Sequence, residues 1–302
     1  EQNRSYEHIE AEVKKMLLEA AAKDQEEDEK YGKEKRGDEL PEELRGRKNR
    51  LARLKECQER LEREAKARAA EQEQKIEARK EEEDLGKKFR GRQPKAPNPQ
   101  ADEKAKANVT DPQSRIMKTR KGYEQGYNAQ AVVTKEQVIV AAEVTQEQND
   151  VQQLTPMVKQ AQEEIHAAGV AEEIGVVLAD AGYCSEDNLK ENARGGPELL
   201  VATKKDWKQR KESQEGGVAQ GPPPEGVSQR EKMDWKLRTE RGKALYRLRS
   251  QTVEPVFGQV KTVRRCDRFV RRGWEAVQCE WKLLCATHNL LKLWRSGKAL
   301  WN

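Results

Sequence analysis

Ile9, Val13, Met16, Leu17 and Ala20 recur at helical spacing, which predicts an amphipathic helix over residues 5–22 whose apolar stripe needs a partner surface. The chain opens at Glu1 and not at a Met, and that partner is expected in a missing N-terminal part. Residues 23–38 are almost entirely charged, broken by Gly32 and Gly37, and read as a flexible connector. Leu40-Pro41-Glu42-Glu43 then starts a second helix, with Pro at the first helical position and acids where the helix dipole favours them. It should run to about Leu85. Its seam of Leu51, Leu54, Leu61 and Ala65 continues as Arg68, Gln72 and Lys75, so the heptad pattern fades before the roughly three repeats that a coiled coil needs. A helical arm is expected over residues 1–86. The polar, proline-containing stretch 87–106 follows as a linker.

After Ala107 the pattern changes from helical spacing to alternation. Residues 107–110 predict a short strand ending at Asp111, and 126–133 with 137–144 predict a hairpin around Thr134-Lys135-Glu136. Asn149 or Asp150 is placed to cap a helix with Leu154, Met157, Val158, Ala161 and Ile165 on one face, ending near Gly169. The apolar run 174–179 reads as a buried parallel strand, followed by a short helix from Ser185 and a strand over 198–202. Residues 204–240, with Gly216-Gly217 and Gly221-Pro222-Pro223-Pro224, read as a disordered insertion. A helix after Ser250 or Thr252 and a longer one over 274–293 close the chain. The fold class is α/β: a mixed sheet with flanking helices over residues 107–302, preceded by the charged arm.

Composition narrows the function classes. No run approaches the roughly 18 apolar residues of a spanning helix, so no membrane partner is expected. Five cysteines without a Cys-x-x-Cys pair and three scattered histidines fit neither a disulfide framework nor a zinc site, which favours a reducing, cytoplasmic setting. The formal net charge of +5 conceals an asymmetry: residues 201–302 carry 23 Lys+Arg against 11 Asp+Glu, a net +12. All six Trp also fall there, and basic charge with planar side chains is a footprint for nucleic acid as well as an ordinary core with a solvated surface.

Three carboxylates stand where α/β folds gather chemistry: Asp111 at a strand end, Asp180 after Val176-Val177-Leu178-Ala179, and Glu254 in the first turn of a late helix. Acids brought together repel unless a cation joins them, and an oxygen-only site suits Mg²⁺, with Mn²⁺ as substitute. Each has a plainer reading. Asp111 before Pro112 can shape a turn, Asp180 can close a strand, and Glu254 can serve the helix dipole. Asp150 reads as a helix cap and is the rival should one of the three be wrongly chosen. Tyr246, Arg249 and Lys261 surround Glu254 in sequence. Glu254 and Lys261, seven apart, share a face on a continuous helix.

These residues resemble the bacterial insertion-sequence transposases with a ribonuclease-H-like DDE domain, in the group whose third acid lies in a Tyr-Arg-Glu-Lys motif. The similar segments are Asn108–Met117, Gly126-Tyr-Asn-Ala-Gln-Ala131, Ala179-Asp-Ala-Gly-Tyr-Cys184, Tyr246–Lys261 and His288-Asn-Leu-Leu-Lys292, with Leu40–Leu44 and Arg50-Leu51 in the lead-in. The resemblance implies a catalytic, metal-binding triad of Asp111, Asp180 and Glu254, with Tyr246, Arg249 and Lys261 as DNA-binding residues. It implies Mg²⁺-dependent cleavage at the element's ends and strand transfer into target DNA, in a homo-oligomer that synapses two ends, at the bacterial nucleoid. Two departures stand out: the gap from Arg249 to Glu254 is one residue longer than the group's, and Cys266-Asp267 replaces a Gly-aromatic pair. The alternative readings are a truncated, inactive remnant that binds DNA or self-associates, and another metal nuclease on the same fold.

Overall fold

The computed structural model describes residues 3–31, 42–86, 93–119, 122–193, 195–204, 211 and 217–297. It divides into two compact units, Glu1–Arg115 and Ile116–Asn302. Among the described residues no helix is long and apolar enough to cross a membrane.

The first unit contains β1 (Asn3–Ser5), α1 (Tyr6–Tyr31), α2 (Glu42–Asp84) and β2 (Lys106–Asn108). The partner of the first amphipathic helix lies within this chain, not in a missing part. Ile9 and Val13 of α1 bury against Leu54, Cys57 and Leu61 of α2 and against Ala107 and Val109. The helix also runs past its predicted end to Tyr31, because Lys, Glu and Gln propagate a helix well once a packed turn has nucleated it. Pro41, expected to begin the second helix, lies outside the described residues. β2 pairs antiparallel with β1, Asn3 opposite Asn108, so residues 106–115 fold with the arm. Arg60 reinforces this join. Its guanidinium is buried and donates to the carbonyls of Pro112 (3.0 Å) and Ser114 (2.8 Å), clamping the turn that contains Asp111.

The second unit is layered around a hairpin, β5 (Asn128–Val133) and β6 (Ile139–Thr145), as the alternation predicts. A preceding hairpin of β3 (Arg115–Thr119) and β4 (Gly122–Gly126) has no matching signal in the hydrophobic pattern. Ala129, Ala131 and Val133 face one side, toward a core of Val256, Val260, Val277, Trp281 and Cys285. Ala141 and Val132 pack on the other side against Met157 and Ala161 of α3 (Leu154–Ala167). Two-residue periodicity therefore turns Asn128 and Gln130 toward the α3 side, which decides the site described below.

A second core surrounds β7 (Val176–Ala179) and β8 (Glu198–Val201), which pair in parallel across α4 (Glu186–Ala193). The described strands pair in twos; β5–β6 and β7–β8 are not hydrogen-bonded into the single mixed sheet expected from the sequence. Part of the predicted insertion is also ordered. Residues 229–238 form helix α5, begun by a reciprocal capping box between Ser228 and Glu231, and bury Met233 and Leu237 on the second core. Helices α6 (Glu240–Arg247), α7 (Arg249–Gly258) and α8 (Trp274–Arg295) complete the unit.

Glu198 at the start of β8 ties this region together. Arg241 donates two hydrogen bonds to it (2.6 and 2.5 Å) and Lys236 lies 2.9 Å away, which holds its carboxyl down at about 2. A depressed folded-state value contributes stability above the ordinary 4.5 and loses it as pH falls from there toward 2. Glu198→Gln is therefore expected to lower the melting temperature at neutral pH, with the gap to wild type narrowing through that window. Melting curves across pH check this, and a pH-independent gap would refute it.

α8 docks on the hairpin by polar side chains as well as by its apolar face. Asn289 bonds both the N–H (2.8 Å) and the carbonyl (2.7 Å) of Ile139, His288 meets the Gln137 carbonyl (2.9 Å), and Lys292 donates to the Gln137 side chain (2.6 Å). The segment His288-Asn-Leu-Leu-Lys292 is thus an anchor for the hairpin turn. Trp281 is 3% exposed, donates to the Gln130 carbonyl (2.9 Å) and stacks on Phe257, so it belongs to the core and not to a nucleic-acid platform. Trp207 and Trp301 lie outside the described residues.

Candidate active site

Ala179 ends β7, and Asp180 follows in extended backbone with one carboxylate oxygen accepting the Gly182 N–H (2.8 Å). That bond starts the short turn Ala181–Tyr183, so Asp180 does shape a turn, yet its side chain stays 43% exposed. The hydroxyl of Tyr246, on α6, donates to the Ala179 carbonyl (3.2 Å) and fixes the strand end from which Asp180 projects.

Asp150 does not act as the predicted cap; its side chain makes no capping bond to the helical turn that follows. One of its oxygens instead accepts from the amides of Asn128 and Gln130, both at 2.7 Å, the two residues that strand alternation turns toward α3. Gln130 in turn accepts from the Tyr183 hydroxyl. Burial, with the charges of Asp150 and Asp180 adding to it, pushes that phenol well above its ordinary value, so it remains a neutral donor. The other Asp150 oxygen faces Gly182. A Cβ on Gly182 would lie 3.0 Å from an Asp180 oxygen and 3.1 Å from that Asp150 oxygen, so a larger residue there would press on both carboxylates.

Glu254 lies on α7, which begins at Arg249; Glu254 therefore sits past the first turn and not within it, a correction to the sequence expectation. Pro255 sits inside the helix and cannot donate to the carbonyl of Gln251. The Gln137 side chain donates to that carbonyl instead (2.8 Å), which repairs the break. Glu254 is 44% exposed and accepts from Arg249 at 3.1 Å; the same guanidinium, 11% exposed, is 3.7 Å from Asp180. The longer gap between Arg249 and Glu254 thus does not stop them from pairing. Arg249 neutralises part of the charge that the acids concentrate.

Lys261 lies beyond α7 in a single wide turn, Gln259–Val263, closed by the Arg264 N–H to the Gln259 carbonyl (3.0 Å). The continuous helix expected for Glu254 and Lys261 is therefore interrupted. The Lys261 ammonium lies 5.5 Å over the Phe257 ring.

Asp111 belongs to the first unit. It is buried, and its carbonyl accepts from the N–H (3.1 Å) and hydroxyl (2.7 Å) of Ser114, a β-turn with Pro112 in the favoured second position. The second unit by itself brings together Asp150, Asp180, Glu254, Arg249 and Tyr246. The signal in sequence for the placing of Asp150 is the pair of amides at alternate strand positions, Asn128 and Gln130, that hold its carboxylate.

The acids offer oxygen ligands only, which suits a hard divalent cation, and two of them, Asp150 and Asp180, flank Gly182. Among the described residues, no group of three or more His, Cys, Asp or Glu side chains is closed around a position for an ion. The positive charge between Asp180 and Glu254 is the guanidinium of Arg249.

A family model described as a transposase DDE domain matches residues 86–290, more than half of the chain. No curated protein and no solved structure matches.

Proposed function

The chain belongs to the transposase DDE-domain family, and from that membership we propose that it is the transposase of a bacterial insertion sequence of the Tyr-Arg-Glu-Lys group, cutting DNA at the element's ends and transferring the freed strands into target DNA. The observation that carries the reading is the gathering of Asp180 and Glu254 about one guanidinium, with Asp150 across Gly182. Membership makes DNA the partner; end synapsis by a homo-oligomer, a ribonuclease-H-like fold and a nucleoid location complete the proposal.

Asp180 and Glu254 would hold Mg²⁺, or Mn²⁺ in its place, with Asp111 as the triad's first acid on the strength of the family resemblance. When bound, such a cation supplies charge stabilisation to the phosphodiester oxygens. The chain's own groups do the positioning. Tyr246 fixes the strand end under Asp180, and the Asn128–Gln130–Tyr183 chain orients Asp150. Arg249 serves as a resident counter-ion between Asp180 and Glu254, and it is placed to turn to a DNA phosphate, as is Lys261. Hydrolysis adds water across a P–O bond and frees a 3′-hydroxyl. In strand transfer that hydroxyl attacks a target phosphodiester, one P–O bond forming as another breaks, so no covalent protein intermediate is required.

The test is a plasmid assay with linear DNA carrying the ends of the encoding element, a supercoiled target and Mg²⁺. Joined products are expected. Cutting without joining would make the chain a nuclease, and DNA binding without cutting would make it a remnant.

A further inference from the structure

Between the wide turn and α8 the chain runs Arg264-Arg265-Cys266-Asp267-Arg268-Phe269-Val270-Arg271-Arg272-Gly273. Arg265, Arg268, Arg271 and Arg272 are exposed, as is Lys261 just before them, and Asp267 is the only acid in the stretch. Among the described residues none of these four arginines forms an ion pair. Exposed cations elsewhere commonly do: Lys14 pairs with Glu10, Lys75 with Glu71 and Lys159 with Glu163.

The loop is nevertheless held firmly. Phe269 meets the face of buried Trp281 edge-on at 6.4 Å, and Cys266 packs into the same core. Arg264 turns inward and donates to Thr287, to its hydroxyl at 2.8 Å and its carbonyl at 3.1 Å. The Val270 and Arg271 N–H groups both bond the Glu280 carboxylate at 2.9 Å. Anchoring of this kind holds four like charges on one short loop, a repulsion that an anionic partner relieves. Val263 (77% exposed) and Val270 (88%) set aliphatic tips among the arginines, a combination suited to a sugar–phosphate backbone.

We propose that Arg265, Arg268, Arg271 and Arg272 of this loop form a phosphate-binding site for duplex DNA, in addition to the residues already read as facing DNA. The site rests on the reading of the chain as a DNA-acting transposase. Its role is to position the duplex; the guanidinium forks bind phosphate oxygens without reading sequence.

The experiment measures binding of the full chain to a short mixed-sequence DNA duplex over a salt series, in EDTA so that no cutting occurs. The loop variant carries Arg265→Gln, Arg268→Gln, Arg271→Gln and Arg272→Gln. A control removes as many exposed cations from the same unit through Lys135→Gln, Lys159→Gln, Lys190→Gln and Lys282→Gln. Removing one arginine–phosphate pair should flatten the log–log salt slope by about 0.9, so the fourfold loop variant should flatten it by about 3.6 and the control not at all. Arg271→Gln alone should flatten it by about 0.9, which keeps the test open should the fourfold variant fold poorly. Equal slopes for loop variant, control and wild type would overturn the site. A flat salt response of the wild type would instead sink the DNA-binding reading, and the site with it.

Discussion

Asp180→Asn should lower metal-dependent DNA cleavage by on the order of 10³-fold or more, because metal-assisted phosphodiester cleavage draws several kcal/mol of its barrier reduction from charge held at the acids. The fold should survive the change. The Asp180 oxygen that accepts the Gly182 N–H at 2.8 Å has a counterpart in the amide oxygen of Asn, so the turn Ala181–Tyr183 keeps its starting bond. The variant lacks the negative charge that Arg249 faces at 3.7 Å and that a divalent cation would use. Cleavage assays with circular dichroism as the folding control check this. Full cleavage by the variant would remove Asp180 from the catalytic set.

Asp111→Asn and Asp150→Asn should separate the two candidates for the remaining acid. Asp111 shapes its turn through its backbone carbonyl, which the substitution leaves in place with both Ser114 bonds, so the turn should persist. If Asp111 is the triad's first acid, as proposed, cleavage should again fall on the order of 10³-fold. In Asp150→Asn one oxygen can still accept from Asn128 and Gln130, while an amide group replaces the oxygen that faces Gly182. A group that orients a metal site from beside it costs about 10–100-fold in metal affinity when changed, and that is the loss expected here. Single-turnover cleavage and Mg²⁺ affinity of both variants provide the readout. The reverse ranking would transfer the first-acid role to Asp150.

Much of the second unit is legible in the chain because its signals are local. The alternation of Asn128–Val133 and Ile139–Thr145 sets the hairpin, the apolar run before Asp180 marks β7, and the apolar side of Trp274–Leu293 gives α8. The misses have equally physical causes. The three-residue β1 has too short a pattern to announce itself; the strand expected over 107–110 is present as β2, ends at Asn108 short of Asp111, and finds its partner at Asn3–Ser5, about a hundred residues away. Helix α5 is so polar that only Met233 and Leu237 mark its buried face, although Ser228 and Glu231 spell out its capping box. Glu254 reads as a first-turn residue because nothing local discloses that Gln137 supplies the donor to the Gln251 carbonyl that Pro255 cannot, which lets the helix run through from Arg249.

The candidate site divides in the same way. Asp180 and Glu254 stand out by position and residue type, and the structure joins them through Arg249. Asp150 looks like a cap in sequence because Asp at a helix start usually is one; its true partners come from a strand about twenty residues earlier. Tyr246, expected from the resemblance to face DNA, holds the Ala179 carbonyl. The basic loop is visible in sequence only as composition; Phe269, Arg264 and Glu280 fix its place in the fold.

The central claim, a working carboxylate site for a divalent cation, is tested most directly by calorimetric titration of Mg²⁺ and of Mn²⁺ into the full chain and into Asp180→Asn, each with and without duplex DNA. Saturable binding to the wild type that disappears in the variant is the predicted result. Identical isotherms for the two proteins under every condition would contradict it.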